Sequence, residues 1–108
     1  MANEASWLLY GAYGYTGRLI AEEAVRRGMK PVLAGRNPHK LEKLANQLGC
    51  PSRAFDLEDI VVIGRNLEGQ RAVLHCAGPF STTADPMIEA CLAAGTHYLD
   101  ITGEISVI

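Results

Sequence analysis

Short apolar runs alternate with amphipathic segments along the chain, and glycine or proline stands at most of the junctions. That alternation is the pattern of βαβ units laid around a parallel sheet. Trp7-Leu8-Leu9-Tyr10 is an apolar run closed by Gly11, which predicts a buried first strand. After a glycine-rich turn, residues 15–27 predict a helix. Ile20, Ala21, Ala24 and Val25 give it one apolar face, and Glu22/Arg26 and Glu23/Arg27 form i,i+4 charge pairs on the other. Gly28 ends it. Residues 31–34 predict the second strand. Asn37 then caps a second helix with Pro38 at its first position and Leu41, Leu44, Ala45 and Leu48 as its buried stripe. Gly49 stops that helix and Pro51 prevents resumption.

Residues 53–55 predict a short third strand ending at Asp56. Residues 57–67 form a short helix weakened by Gly64. Residues 72–76 predict the fourth strand, leading into Ala77-Gly78-Pro79-Phe80. A helix follows over 83–94, in which Pro86 fits only the first turn with Asp85 as the cap. Residues 97–100 complete the set. Five strands alternating with four helical segments predict a Rossmann-type, doubly wound α/β sheet in three layers, with order 3-2-1-4-5.

The turn after the first strand carries the most chemistry. Gly11-Ala12-Tyr13-Gly14-Tyr15-Thr16-Gly17 has the spacing GxxGxxG. Gly11 lets the chain leave the strand sharply, Gly14 has no side chain to block a phosphate, and Gly17 lets the helix pack on the strand. The helix start then offers unpaired N–H groups and about half a positive charge to an anion. A glycine triplet alone also serves as a plain connector. Here it lies between an apolar strand and an amphipathic helix, which favours a pyrophosphate site. Tyr13 and Tyr15 either line the cofactor groove or only cover the turn.

An acidic residue at the end of the second strand would bind ribose hydroxyls and favour NAD. This chain has Gly35-Arg36-Asn37 there. Arg36 offers a planar charged fork to a 2′-phosphate, and Lys40 adds a second charge one turn into the next helix, so NADP is expected over NAD. Asp56 is placed either to contact the adenine edge or to cap the helix that follows it. Ala77, Gly78 and Pro79 form a tight turn expected to run beside the pyrophosphate and nicotinamide ribose. The cofactor-binding candidates are therefore Gly11, Tyr13, Gly14, Tyr15, Thr16, Gly17, Arg36, Asn37, Lys40, Asp56, Ala77, Gly78 and Pro79.

The bulk numbers fit one soluble domain. The chain has 108 residues, of which 48% are hydrophobic and 20% charged. A net charge of −2 gives no reason to expect a nucleic-acid partner. Cys50, Cys76 and Cys91 lack CxxC spacing and read as reduced thiols of a cytoplasmic protein, with no metal site. No apolar run approaches the roughly 20 residues that span a bilayer, and residues 1–5 do not open a secretory leader. The apolar end Ile105-Ser106-Val107-Ile108 suggests a fragment cut near a domain boundary or inside a next element.

Four runs together resemble the saccharopine dehydrogenase-like oxidoreductases. They are residues 11–19; Ala34-Gly35-Arg36-Asn37 with Lys40-Leu41; Cys76-Ala77-Gly78-Pro79-Phe80; and Ala90-Cys91 with residues 94–104. The last two are more specific than the glycine motif. In one respect the chain departs from the family's GATGYTG turn: Tyr13 replaces the usual Thr or Ser, which removes a small hydroxyl from beside the phosphate. The resemblance implies an N-terminal NAD(P)-binding domain, followed in full-length members by a mixed α/β domain for substrate binding and dimerisation. It leaves a homodimer through that second domain open. It implies hydride transfer to or from a nicotinamide and a small-molecule substrate, without naming the substrate.

No catalytic constellation stands out. His39, His75 and His97 lie on three different elements; His75 reads as a core histidine and His39 as a surface one. Cys76, at a strand end, is either a nucleophile or a small buried hydrophobe. Asp100, Thr102 and Glu104 either face substrate or hold a cap or loop. The catalytic residues are thus unknown, which suits a domain whose cofactor carries the hard step. Two rivals share the turn: a non-catalytic NADP-binding sensor, and the cofactor domain of an acyl-phosphate or semialdehyde reductase, whose catalytic cysteine sits in a later domain. A short-chain dehydrogenase, another rival, needs a Tyr-x-x-x-Lys pair, and none of Tyr10, Tyr13, Tyr15 and Tyr98 has Lys four residues on.

Overall fold

The computed structural model describes residues 6–77 and 80–101, with residues 80–84 as backbone alone. The strands are β1 (Ser6–Tyr10), β2 (Val32–Gly35), β3 (Ser52–Ala54), β4 (Gln70–His75) and β5 (His97–Asp100). The helices are α1 (Tyr15–Arg26), α2 (Pro38–Leu48), α3 (Ile60–Asn66) and α4 (Phe80–Ala94). All four strand pairings are parallel, and the order is β3-β2-β1-β4-β5, as the alternation predicts.

β1 is central because its side chains bury on both faces. Leu8 and Tyr10 join Val32, Val73, Ile63, Met87 and Cys91 in one core; Leu9 joins Ala21, Leu33, Leu41 and Leu44 in the other. The helices α1 and α2 contribute to the second core, and α3 and α4 to the first. A parallel strand so enclosed must read as a continuous apolar run, and Trp7-Leu8-Leu9-Tyr10 does. The Tyr10 hydroxyl finds its partner inside, donating to the Phe55 carbonyl at 2.6 Å. Arg53 closes the far end of α3 by donating to the carbonyls of Asn66 (2.6 Å) and Glu68 (3.2 Å), where a cation also meets the negative end of the helix.

Several local expectations need correction. Asp56 does not cap a helix. Its carboxylate accepts the Glu58 N–H at 3.1 Å in a side-chain turn, and α3 begins three residues later than expected, capped by Asp59 through the Val61 N–H at 2.9 Å. Both aspartates are good caps; the one whose following residues reach the core with Ile63 wins. Likewise, Pro86 is not in a first turn and Asp85 is not a cap, since α4 starts at Phe80 and runs through the proline. Burial of Met87, Ala90 and Cys91 just beyond it offsets a cost of about 3 kcal/mol for an interior proline. Arg26 pairs with Glu23 (2.7 Å), not Glu22, and Arg27 shares the same carboxylate at 2.6 Å. β2 sits one residue later than expected and ends on Gly35, while β4 starts two residues earlier and stops at His75.

Among the described glycines, the tightest packing is at Gly17. A Cβ there would run into the Gly11 carbonyl oxygen and stand 2.9 Å from its carbon. In contrast, a Cβ on Gly64 of α3 meets nothing within 4 Å. Gly17→Ala should therefore destabilise the chain by at least about 2 kcal/mol, by forcing α1 off β1. Gly64→Ala should stabilise it by about 0.5 kcal/mol through helix propensity. Urea midpoints of the two variants test this, and equal midpoints would contradict it.

Candidate dinucleotide site

The turns after β1, β2 and β4 meet at the carboxyl edge of the sheet. Gly11 sets the geometry with φ +86°, a conformation that L side chains rarely adopt. The N–H groups of Gly11 and Ala12 both donate to the Ala34 carbonyl, at 2.9 and 3.1 Å, so the end of β2 anchors the turn. On the opposite side Gly11 touches the segment after β4, where an added Cβ would lie 2.8 Å from the Ala77 nitrogen. The strand order reverses at this point, since β1 is flanked by β2 on one side and β4 on the other. In such sheets this crevice is where ligands bind.

α1 starts at this crevice without a side-chain cap. Gly14 occupies the cap position in extended geometry, and it has no side chain to accept an N–H from the first turn. The N–H groups of the first turn have no partner within the helix. They open on a surface where Gly14, Tyr15 and Thr16 are exposed. The arrangement suits an anion, and among the described residues no side chain caps this helix start.

Beside it, the β2–α2 connection presents Arg36, Asn37 and Lys40, all exposed. The Asn37 side chain accepts the Lys40 N–H at 3.0 Å, the expected cap of α2. The Asn37 backbone N–H donates to the Tyr13 hydroxyl at 2.8 Å. Tyr13 therefore does more than cover the turn: it ties the glycine turn to the β2–α2 loop. Tyr15, by contrast, is 83% exposed. Asp56 is half-buried in its turn after β3. Ala77 is half-buried against Gly11, while Gly78 and Pro79 lie outside the described residues. Sequence reasoning missed the Tyr13–Asn37 bond. The signal that was available is Gly35, a strand glycine of the kind that marks close approach: a Cβ there would come 2.5 Å from the Tyr13 ring.

The candidate acid–base groups among the described residues serve structure, although β4 and β5 pair His75 with Asp100. His75 is buried between the rings of Tyr10 (5.7 Å) and Tyr98 (6.0 Å), and desolvation pushes it down to about 4. It is a neutral core histidine at physiological pH. Burial pushes the Cys76 thiol up to about 11, so it stays protonated and suits the small-hydrophobe reading. Asp100 accepts the Tyr98 hydroxyl at 2.8 Å, a strand-holding role. Thr102 and Glu104 lie outside the described residues. No cluster of metal-ligating groups exists among the described residues. No helix among them is long and apolar enough to cross a membrane.

An uncapped helix start behind a glycine turn, at the reversal point of a 3-2-1-4-5 sheet, defines a nucleotide-binding Rossmann domain. Residues 7–107 match the family model of the saccharopine dehydrogenase NADP binding domain. The chain belongs to that family, and its cofactor is NADP. Among similar proteins is the saccharopine dehydrogenase-like oxidoreductase of Bos taurus, 30% identical over 116 residues that cover 90% of this chain and 27% of the relative. The trans-acting enoyl reductase of Mycobacterium ulcerans (strain Agy99) is 30% identical over 105 residues, covering 91% and 25%. In fold, the chain resembles the apo saccharopine dehydrogenase (L-Glu forming) of Saccharomyces cerevisiae. The TM-score is 0.79 at 15% identity, over 90% of this chain and 21% of that one. It also resembles the Citrobacter sp. triphenylmethane reductase complexed with NADP(H), with a TM-score of 0.76 at 22% identity, over 95% and 40%. The chain spans about a quarter of the length of the curated relatives it matches.

The buried imidazole gives the domain an acid-sensitive core. An unfolded histidine titrates near 6.5, whereas folded His75 titrates near 4. Below pH 6.5 the unfolded chain takes up a proton that the folded chain refuses. The stability contributed by neutral His75 is therefore full above 6.5 and is lost as pH falls toward 4. Between pH 7.5 and 5 the loss from this group is about 2 kcal/mol. Urea unfolding at the two pH values should show this difference between the wild type and His75→Gln; identical pH slopes would rule it out.

Proposed function

We propose that this chain is the cofactor-holding part of a longer oxidoreductase that moves a hydride between NADP and a small-molecule substrate carried mainly by another domain. The observation that carries the reading is the pairing of an open α1 start with a β2 end that carries Arg36 and no carboxylate. Backbone N–H groups at Tyr15, Thr16 and Gly17 face the pyrophosphate, while Gly14, whose own N–H donates to the Gly11 carbonyl at 3.1 Å, leaves the approach clear and Gly11 shapes it. Arg36 and Lys40 take the 2′-phosphate as charged donors, and Asn37 holds the loop between them. Tyr15 stands at the mouth, Asp56 meets the adenine edge, and Ala77 borders the nicotinamide ribose. When bound, NADP supplies the hydride or accepts it; these residues supply position and charge.

That the relatives are about four times as long supports a further domain for substrate and dimerisation. So does uncovered apolar surface. A groove of about 450 Å³ beside α1 is lined in part by Trp7, Leu19, Ile20 and Met29, and Leu99 on β5 is 56% exposed. The free thiols Cys50, Cys76 and Cys91 support a reducing compartment, which we take as the cytoplasm.

Calorimetric titration of the chain with NADP and NAD tests the assignment of Arg36. The wild type should prefer NADP, and Arg36→Ala should weaken NADP by about tenfold or more while leaving NAD within about twofold, because a charge-assisted pair is lost. A preference for NADP that survives Arg36→Ala would overturn the role given to that residue.

A further inference from the structure

We propose that Tyr13 is a positioning residue for 2′-phosphate recognition: its hydroxyl and ring hold the Arg36-bearing loop in the shape that discriminates NADP from NAD. The inference rests on the reading of Arg36 given above and extends it to a residue of another element. Arg36 lies between two points that Tyr13 touches. On one side is Gly35, where the ring lies so close that a Cβ would stand 2.5 Å from Cε2 and 3.2 Å from Cζ. On the other is Asn37, whose backbone N–H donates to the Tyr13 hydroxyl at 2.8 Å. The ammonium of Lys40, the second cation, in the first turn of α2, lies 5.9 Å from the centre of the same ring.

Each contact constrains a different part of the loop. The Gly35 carbonyl is held from below by the Phe55 N–H at 2.9 Å, and its Cα is held from the side by the phenol ring. Asn37 is fixed twice, through its N–H to Tyr13 and through its side chain to the Lys40 N–H at 3.0 Å. The Arg36 backbone is thereby fixed at both flanks, while its side chain stays exposed. A flexible cation must lose rotamer and loop freedom to engage a phosphate, and anchoring the backbone beforehand reduces that loss. The benefit goes to a ligand that engages Arg36. A ligand without a 2′-phosphate gains little from it. The third position of the glycine turn therefore acts on specificity at a distance from the pyrophosphate.

The Tyr13 hydroxyl uses an oxygen lone pair to accept the Asn37 N–H. Tyr13→Phe removes that acceptor while keeping the ring against Gly35 and beneath Lys40. Gly35→Ala does the reverse, pushing the ring out while leaving the hydroxyl on the side chain. Titrations of NADP, NAD, 2′-AMP and 5′-AMP into the wild type and both variants separate the outcomes, with melting temperature read in parallel.

The expected result for Tyr13→Phe is a loss of about fivefold in NADP and 2′-AMP affinity, the size of one hydrogen bond. NAD and 5′-AMP should stay within about twofold and the melting temperature nearly unchanged. Gly35→Ala should narrow the NADP/NAD ratio in the same direction. Equal losses for all four ligands would mean that Tyr13 only props the turn, and no change in any would mean that the contact is idle; either overturns the proposal. If Tyr13→Phe keeps the wild-type preference for NADP, only this inference fails. If the wild type itself ignores the 2′-phosphate, the reading of Arg36 fails and this one falls with it.

Discussion

The Gly11 carbonyl and the Cα of Gly17 are so close that no side chain fits between them. Much of the site follows from that contact. It seats the first turn of α1 against the end of β1, and the Ala34 carbonyl locks the same turn to β2 by accepting two N–H groups. With the turn pinned from both directions, α1 can only leave the sheet with its amino end over the crevice. The uncapped N–H groups of that end are then a consequence of packing, directed before any ligand arrives.

The rest of the domain leaves this edge polar and packs apolar side chains into the two cores behind it. His75 and Tyr98 lie beneath it, buried or half-buried, with desolvation keeping the imidazole neutral and the phenol protonated. These groups are structural, as is the Tyr98–Asp100 bond at the end of β5. Exposed charge at this edge is carried instead by Arg36, just after β2, and Lys40, in the first turn of α2. A division of this kind suits a domain that holds a cofactor by backbone amides and surface cations and leaves proton transfer to groups elsewhere. It agrees with the chain's place as about a quarter of its relatives' length.

Much of the fold was legible because its signals are local. A buried parallel strand must be apolar without interruption, as residues 7–10 are. A helix needs a cap and a stripe, as Asn37 with Leu41 and Leu44 supply. The glycine turn was legible for the same reason: each glycine answers a demand of backbone geometry or space. Misreadings arose where two local signals competed. Asp56 and Asp59 are equally good caps, and Ile63 seeking the core decided between them. Pro86 is a local stop signal that the packing of Met87, Ala90 and Cys91 overrides.

By itself, then, the order of residues determined the α/β class, the strand order, the glycine turn and the charge at the end of β2, because periodicity, capping and glycine placement act over a few residues. Tertiary structure alone decided where α3 and α4 begin, that His75 is neutral, and that Tyr13 reaches Asn37 across 24 positions. Those outcomes depend on distances between segments far apart in the chain, and such distances exist only once the sheet has brought them together.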